Sequence, residues 1–277
     1  MKNLPTFSIV TPSFNQGEFI EETILSVLNQ GYPNLEYIVI DGGSNDNSVE
    51  IIKKYSGSFA YRVSEKDRGQ SHAINKGFAR ASGDIFAWLN SDDRLEPDAL
   101  AAVAEASMQY TETGVFVGHG RKSDRFGNTV YYKEPDQLTF ERLCEWMDGG
   151  NFMQPSCFFR RAAWEVSGPL DENIHIALDV DLWLRMIKSV GFRRIDKLLS
   201  TAMVHEDAKT TALINRMTVD CALVVIRAGG ERHVQKHLYS MADKLTDYER
   251  LFEKLSRNPL VRFVKPLLGK GYRLKTR

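Results

Sequence analysis

Residues 7–43 read FSIVTPSFNQGEFIEETILSVLNQGYPNLEYIVIDGG. "FSIV" (7–10) is a β-rich apolar run closed by Thr11 and Pro12. From Gly17 to Gln30, the residues Phe19, Ile20, Ile24, Val27 and Leu28 recur at helical spacing. "LEYIVI" (35–40) is a second apolar strand, and it ends at Asp41-Gly42-Gly43. A strand, a helix and a strand in this order form a βαβ unit. Its two strands run parallel, and its crossover is right-handed almost without exception.

The same rhythm continues outward. "NDNSVEIIKKY" (45–55) opens with capping residues and continues as a helix, and "AYRVSE" (60–65) is a third strand. Residues 70–81 have helical spacing, "GDIFAWL" (83–89) is a fourth strand, and residues 97–110 form a helix with Pro97 in its first turn. The strands are near-continuous apolar runs, as expected where helices cover both faces. The fold class is therefore α/β with a mostly parallel central sheet. Ligands in such sheets bind beyond the carboxyl ends of the strands. Here those ends are Pro12–Asn15, Asp41–Ser44, Glu65–Gly69 and Asn90–Asp93, all polar and rich in acids.

After about residue 114 the pattern changes. "GVFVGHG" (114–120) and "TVYYKE" (129–134) flank a turn at Gly127-Asn128 and read as antiparallel additions. Residues 139–147 and 179–190 are helical, 192–205 begins strand-like, and the chain from about Asn215 to Arg257 is helical again. The expected organisation is one domain over 1–214 and a helical extension over 215–277.

Bulk composition narrows the class. The chain has 277 residues, 43% of them apolar, and a formal net charge of zero, which gives no electrostatic case for nucleic acid. Three scattered cysteines, Cys144, Cys157 and Cys221, argue against a disulfide framework and for a reducing compartment. No apolar run nears the ~20 residues of a membrane span, and the first ten residues lack a signal-peptide core. The expectation is an intracellular protein.

Neither a G-x-G-x-x-G after the first strand nor a P-loop is present. The acidic strand ends must serve other chemistry. Asp41 is either a turn former or a hydrogen-bond acceptor for a base or ribose. Asp92 and Asp93 repel each other; they either end a strand in solvent or hold a hard cation whose shell is completed by phosphate and water. Asp179 either caps its helix or does chemistry from it. His205 is structural unless it folds back toward Asp93, where imidazole would suit Mn²⁺. "MQPSCFF" (153–159) either lines the site or fills the core.

Residues 8–48, together with "EKDRGQSHAINKG", "GDIFAWLNSDD" and "ALDVDLWLRM", resemble the family 2 glycosyltransferases, with four motifs in the family's order over residues 6–210. The resemblance implies a GT-A fold, a nucleotide-sugar donor, Mg²⁺ or Mn²⁺, and inverting transfer to a glycan or lipid-linked acceptor. It points to a UDP-sugar first, with dTDP- and GDP-sugars behind. It implies that Pro12, Phe14, Asp41 and Asp67 surround the base and that Asp92 lies near the ribose and donor sugar. By the same resemblance Asp93 and His205 are metal ligands and Asp179 is the general base. Phe14 stands where the family often has Tyr, His72 where it often has Asp, and Leu178 where it often has Glu.

Two other functions remain open at this level: a catalytically silent nucleotide-sugar binding protein and a sugar-1-phosphate nucleotidyltransferase. The basic, Gly-rich loop expected of the latter is missing from "TPSFNQGEF". The end of the chain is outside the resemblance. Residues 256–277 carry seven Lys or Arg and no acid, interleaved with Leu, Val and Phe. They are either a solvated basic end or a peripheral membrane contact.

Overall fold

A computed structural model describes residues 4–149, 151–205 and 214–257. The opening βαβ unit forms as read. Strand β1 (Phe7–Ser13) is buried along its whole length and pairs in parallel with β2 (Leu35–Asp41), across the crossover helix α1 (Ile20–Leu28). Helix α2 (Ser48–Lys54) leads to β3 (Tyr61–Ser64), and α3 (Gln70–Phe78) leads to β4 (Ile85–Trp88). Spatial order in this half is β3-β2-β1-β4, all parallel. The strand ends therefore lie along one edge. The register sets Ser13 beside Asp41 and Asp41 beside Ser64.

Beyond β4 the sheet becomes mixed. A three-residue strand, β5 (Asp93–Leu95), precedes α4 (Ala99–Gln109). β6 (Thr113–Ser123) and β7 (Thr129–Lys133) are the antiparallel pair expected around Gly127-Asn128. Helix α5 (Phe140–Cys144) follows. "MQPSCFF" becomes a short 3₁₀ turn and then β8 (Cys157–Arg160), which lies antiparallel between β4 and β6. Helices α6 (Arg161–Ser167) and α7 (Leu178–Met186) precede β9 (Gly191–Met203). β9 runs parallel to β6 and antiparallel to β5. Three residues can hold β5 in place because β9 supplies a long paired edge and α1 supplies side chains. Thr23 Oγ1 donates to the Asp93 carbonyl (2.7 Å), and Ser26 Oγ accepts from Leu95 N (3.1 Å).

One face of the sheet packs Phe7, Ile9, Val39, Ile85 and Ala87 against Ile20, Ile24 and Val103, all buried. Fully burying each large apolar side chain contributes roughly 1.5–3 kcal/mol. The other face carries an aromatic cluster. Phe78 stacks on Phe86 at 5.0 Å between centroids, and Trp88 stacks on Trp183 of α7 at 5.3 Å and 14° between planes.

The chain divides into two compact units, the first ending at Glu231 and the second beginning at Arg232. In the first, α8 (Ile214–Arg227) follows β9, and Lys188 Nζ, just past α7, donates to the Ala228 carbonyl beyond its end. The second contains most of α9 (Glu231–Arg257), a single helix of 27 residues. No helix among the described residues is long and apolar enough to cross a membrane. The basic stretch 256–277 lies, from residue 258 on, outside the described residues.

Candidate active site

The first wall is built by two loops tied together. After β1, Asn15 N donates to Ser44 Oγ (2.8 Å), Gln16 N to Ser48 Oγ (2.9 Å) and Gly17 N to Asp46 Oδ2 (2.9 Å). Asn15 returns the contact by accepting from Asn45 N (3.0 Å). A Cβ at Gly17 would fall 1.7 Å from Asn47 Oδ1, so the exposed Asn47 side chain would have to turn aside. Pro12 is buried in β1, while Phe14, one residue past the strand, is 59% exposed.

Asp41 is fully buried and its oxygens are occupied. Oδ2 accepts from Gly43 N (3.1 Å), Ser44 N (3.0 Å) and Ser64 Oγ (2.6 Å), and Oδ1 accepts from Ser44 Oγ (2.5 Å). These bonds make Asp41 a turn former, and among the described residues its Oδ1 accepts from Ser44 Oγ alone. Asp67 is half-buried, with Oδ1 accepting from Gly69 N (2.8 Å). Its carboxylate lies over Gly42, where a Cβ would meet Asp67 Oδ2 at 2.7 Å. Phe14, Asp41 and Asp67 thus belong to adjacent loops at one sheet edge.

The second cluster is the "NSDD" segment. Asp93 is 5% exposed, and its Oδ2 accepts from Asn90 Nδ2 (3.0 Å). Burial first, and then the neighbouring Asp92 charge, push the Asp93 carboxyl well above the usual carboxylate range. Asp92 is more open and accepts from His205 Nε2 (3.1 Å). His205 follows β9, which is paired with β5, so the sheet itself returns this His to the aspartates. Its ring lies on Phe19 at 4.4 Å between centroids, and its Nδ1 is buried with no hydrogen-bond partner among the described residues. No group of three His, Cys, Asp or Glu side chains able to hold a metal occurs among the described residues.

Asp179 opens α7. Burial pushes its carboxyl up to about 6, with the Val180 amide, which donates to Oδ1 (2.9 Å), pulling the other way. The Asp179 charge is felt by Cys157 of β8 and Cys221 of α8, whose thiols burial itself already pushes up. One turn along α7, Trp183 stacks on Trp88, the last residue of β4. The helix bearing Asp179 is therefore docked on the strand that leads into Asn90–Asp93. The hydrogen bonds that join Gln70, Asn90 and Gln154 were not legible in the sequence. Gln70 donates to Asn90 Oδ1 (2.7 Å), Asn90 donates to Gln154 Oε1 (3.2 Å), and Gln154 donates to the Trp88 carbonyl (2.9 Å). The Asn in "NSDD" was visible, but nothing in the sequence joined it to two distant glutamines.

Residues 8–166, more than half of the chain, match the family model described as "Glycosyl transferase family 2". The chain belongs to that family. An uncharacterized glycosyltransferase of Rickettsia typhi is 26% identical over 77% of this chain and 68% of its own length. The chondroitin synthase of Escherichia coli is 26% identical over 89% of this chain but only 36% of its own length. This chain thus spans about a third of that synthase. Among solved structures, S. aureus TarS 1–349 in complex with UDP has a TM-score of 0.60 at 17% identity, covering 95% of this chain and 78% of that one. Mannosyltransferase PcManGT from Pyrobaculum calidifontis, in complex with GDP-Man and Mn²⁺, has a TM-score of 0.61 at 16% identity, covering 95% and 83%. At these identities the likeness concerns the fold, which is the GT-A type the sequence resemblance implied.

Proposed function

We propose that this glycosyltransferase moves a sugar from a nucleoside-diphosphate sugar, a UDP-sugar first, to a hydroxyl of a glycan or lipid-linked acceptor. Transfer inverts the anomeric carbon, and Asp179 is the base. The observation that carries the reading is Asp179 itself, a carboxylate held near pKa 6 on a helix stacked against the strand that delivers Asp92 and Asp93. An ordinary aspartate, near ~3.9, is a weak acceptor for a hydroxyl proton. Raised to about 6, Asp179 is a stronger base and is still mostly ionised at neutral pH. The proton leaves the acceptor oxygen for Asp179 as that oxygen bonds to the sugar, so no covalent sugar–enzyme intermediate is needed.

The donor's base would lie against Phe14 and Asp67, with Pro12 beneath. Asp41 fixes the 41–44 turn through Oδ2, and its Oδ1, which among the described residues accepts from Ser44 Oγ alone, would face the base. Asp92 would meet the ribose and donor sugar. The UDP of the TarS complex and the GDP-mannose of the Pyrobaculum complex support a nucleotide-sugar donor here.

A divalent cation fits the residues present. A hard cation takes one or two carboxylates and completes its shell with phosphate oxygens and water, so no full protein cage is required. Asp93 and His205 would offer one oxygen and one nitrogen donor, which suit Mg²⁺ or Mn²⁺ once phosphate and water complete the shell. Two adjacent carboxylates, one of them buried, are an arrangement that a cation stabilises. When bound, the ion would supply positive charge to the diphosphate leaving group. Asn90 orients Asp93, and Phe19 orients His205, for that task.

The basic stretch 256–277 would bring the enzyme to an anionic membrane face, where lipid-linked acceptors lie. Incubating the chain with UDP-sugars, Mg²⁺ or Mn²⁺ and sugar acceptors tests the central reading. Release of nucleoside diphosphate with product formation supports it. Pyrophosphate release would indicate a nucleotidyltransferase, and donor binding without any turnover would indicate a silent binding protein.

A further inference from the structure

None of the site residues named above lies in the second unit, yet α9 has its own order. Leu238, Met241, Leu245, Tyr248, Phe252 and Leu255 are separated by three, four, three, four and three residues. That is the a/d repeat of a coiled coil, with Leu238, Leu245 and Phe252 at a, and Met241, Tyr248 and Leu255 at d. Leu245 is 63% exposed, Tyr248 69% and Leu238 54%. Apart from Tyr239, the positions farthest from the seam are polar, among them Ser240, Asp243, Thr246, Asp247, Arg250 and Glu253. A helix of 27 residues, about 40 Å long, that leaves Leu238, Leu245 and Tyr248 of such a stripe more than half exposed has the pattern of a coiled-coil helix.

We propose that α9 pairs in parallel with α9 of a second copy of this chain, forming a two-stranded coiled coil. Charge selects this occupant and this direction. In a parallel pair, position g of one helix faces position e five residues on in the other. Lys244 is at g and Glu249 at e, so each Lys244 meets the Glu249 of the second copy, twice per dimer. In an antiparallel pair g would face g and e would face e. The g set is His237, Lys244 and Leu251 and the e set is Gln235, Ala242, Glu249 and Ser256, so that alignment brings no Lys to a Glu. A lipid surface is the poorer occupant, because residues 231–257 carry six Lys or Arg against five Asp or Glu and so hold no cationic face to speak of.

Sedimentation equilibrium of the full chain, at about 1–100 µM, reads the proposal. The expected species is a dimer, and Leu245→Asp, at an exposed position, weakens association at least tenfold while leaving binding of UDP unchanged. Lys244→Glu and Glu249→Lys each weaken the dimer, and the double variant restores it. Leu245→Cys chains cross-link to each other under mild oxidant and Asp243→Cys chains do not. A monomer across the range overturns the proposal, as does a dimer that Leu245→Asp leaves intact. Failure of the double variant to recover, with equal cross-linking at 243 and 245, overturns the parallel register. A monomer whose Leu245→Asp variant loses vesicle binding would instead give this face to lipid.

Discussion

Asp179 follows Leu178 into the first turn of α7 and takes a hydrogen bond from the next amide, yet its carboxyl stands near 6 because burial outweighs that bond. The folded chain therefore holds this proton more tightly than the unfolded chain does. The stability this group contributes is present below pH ~4 and is lost as pH rises through about 6. Asp179→Asn removes a charge that costs free energy to bury, so its melting temperature at pH 8 should equal or exceed that of the parent, and the difference should close near pH 4. Transfer should fall at least ~100-fold with donor affinity kept, the usual scale for a lost base. In the parent, kcat/KM should fall about tenfold per unit as pH drops below about 6. A lowered melting temperature with transfer intact would make Asp179 a cap. Asp93 gives a separate test. Asp93→Ala relieves the repulsion with Asp92, so the fold should survive, while turnover supported by added Mg²⁺ or Mn²⁺ is lost. Calorimetric titration of Mn²⁺ in the presence of UDP, giving the same affinity in parent and variant, would remove Asp93 from the cation site.

The loops between strands and helices carry the wall of the site, and Gly42 is where two of them meet. Its missing side chain leaves room for the Asp67 carboxylate, so Gly42→Ala sets a Cβ 2.7 Å from Asp67 Oδ2. Asp67 must turn away. UDP affinity should drop about tenfold, ~1.4 kcal/mol, with little change in the melting temperature, and calorimetry with UDP reads it. An unchanged affinity would take Asp67 out of the nucleotide pocket. Elements of this kind were legible in uneven measure. Strands β1 to β4 and their helices announce themselves because continuous apolar runs alternate with 3.6-residue spacing. Strand β5 does not, because Asp93-Arg94-Leu95 has no β pattern of its own; pairing with β9 and the hydroxyls of Thr23 and Ser26 create it. Burial in β8 was ambiguous for the opposite reason, since "SCFF" suits a core strand or a lining loop equally. At the site, the acidic residues could be read from strand ends. The Gln70–Asn90–Gln154 relay could not, because its members lie up to 84 positions apart and meet only through the sheet.

At the scale of the whole molecule, the coiled-coil proposal changes what the basic stretch 256–277 can do. That stretch continues directly from α9, so a parallel pair would start both copies of it from the same end. An antiparallel pair would send them apart. Each Lys or Arg near an anionic surface contributes about 1 kcal/mol, and the contribution is screened within a Debye length of about 8 Å at physiological salt. One copy carries seven such residues. Two copies side by side make the second attachment intramolecular, and overall avidity can then exceed the single-site affinity by about 10²–10⁴-fold without a new contact. Dimer and membrane contact are therefore expected to be linked. On vesicles rich in anionic lipid at low salt, the full chain should co-sediment and a chain ending at Arg257 should not. Leu245→Asp, with the basic stretch intact, should bind at least tenfold more weakly than the parent, and Lys244→Glu with Glu249→Lys should recover. All of these differences should shrink as salt rises. If the chain ending at Arg257 binds as well as the full chain, the basic stretch is not the anchor. If Leu245→Asp binds as well as the parent, one copy of the stretch suffices and the pairing of α9 serves some other end.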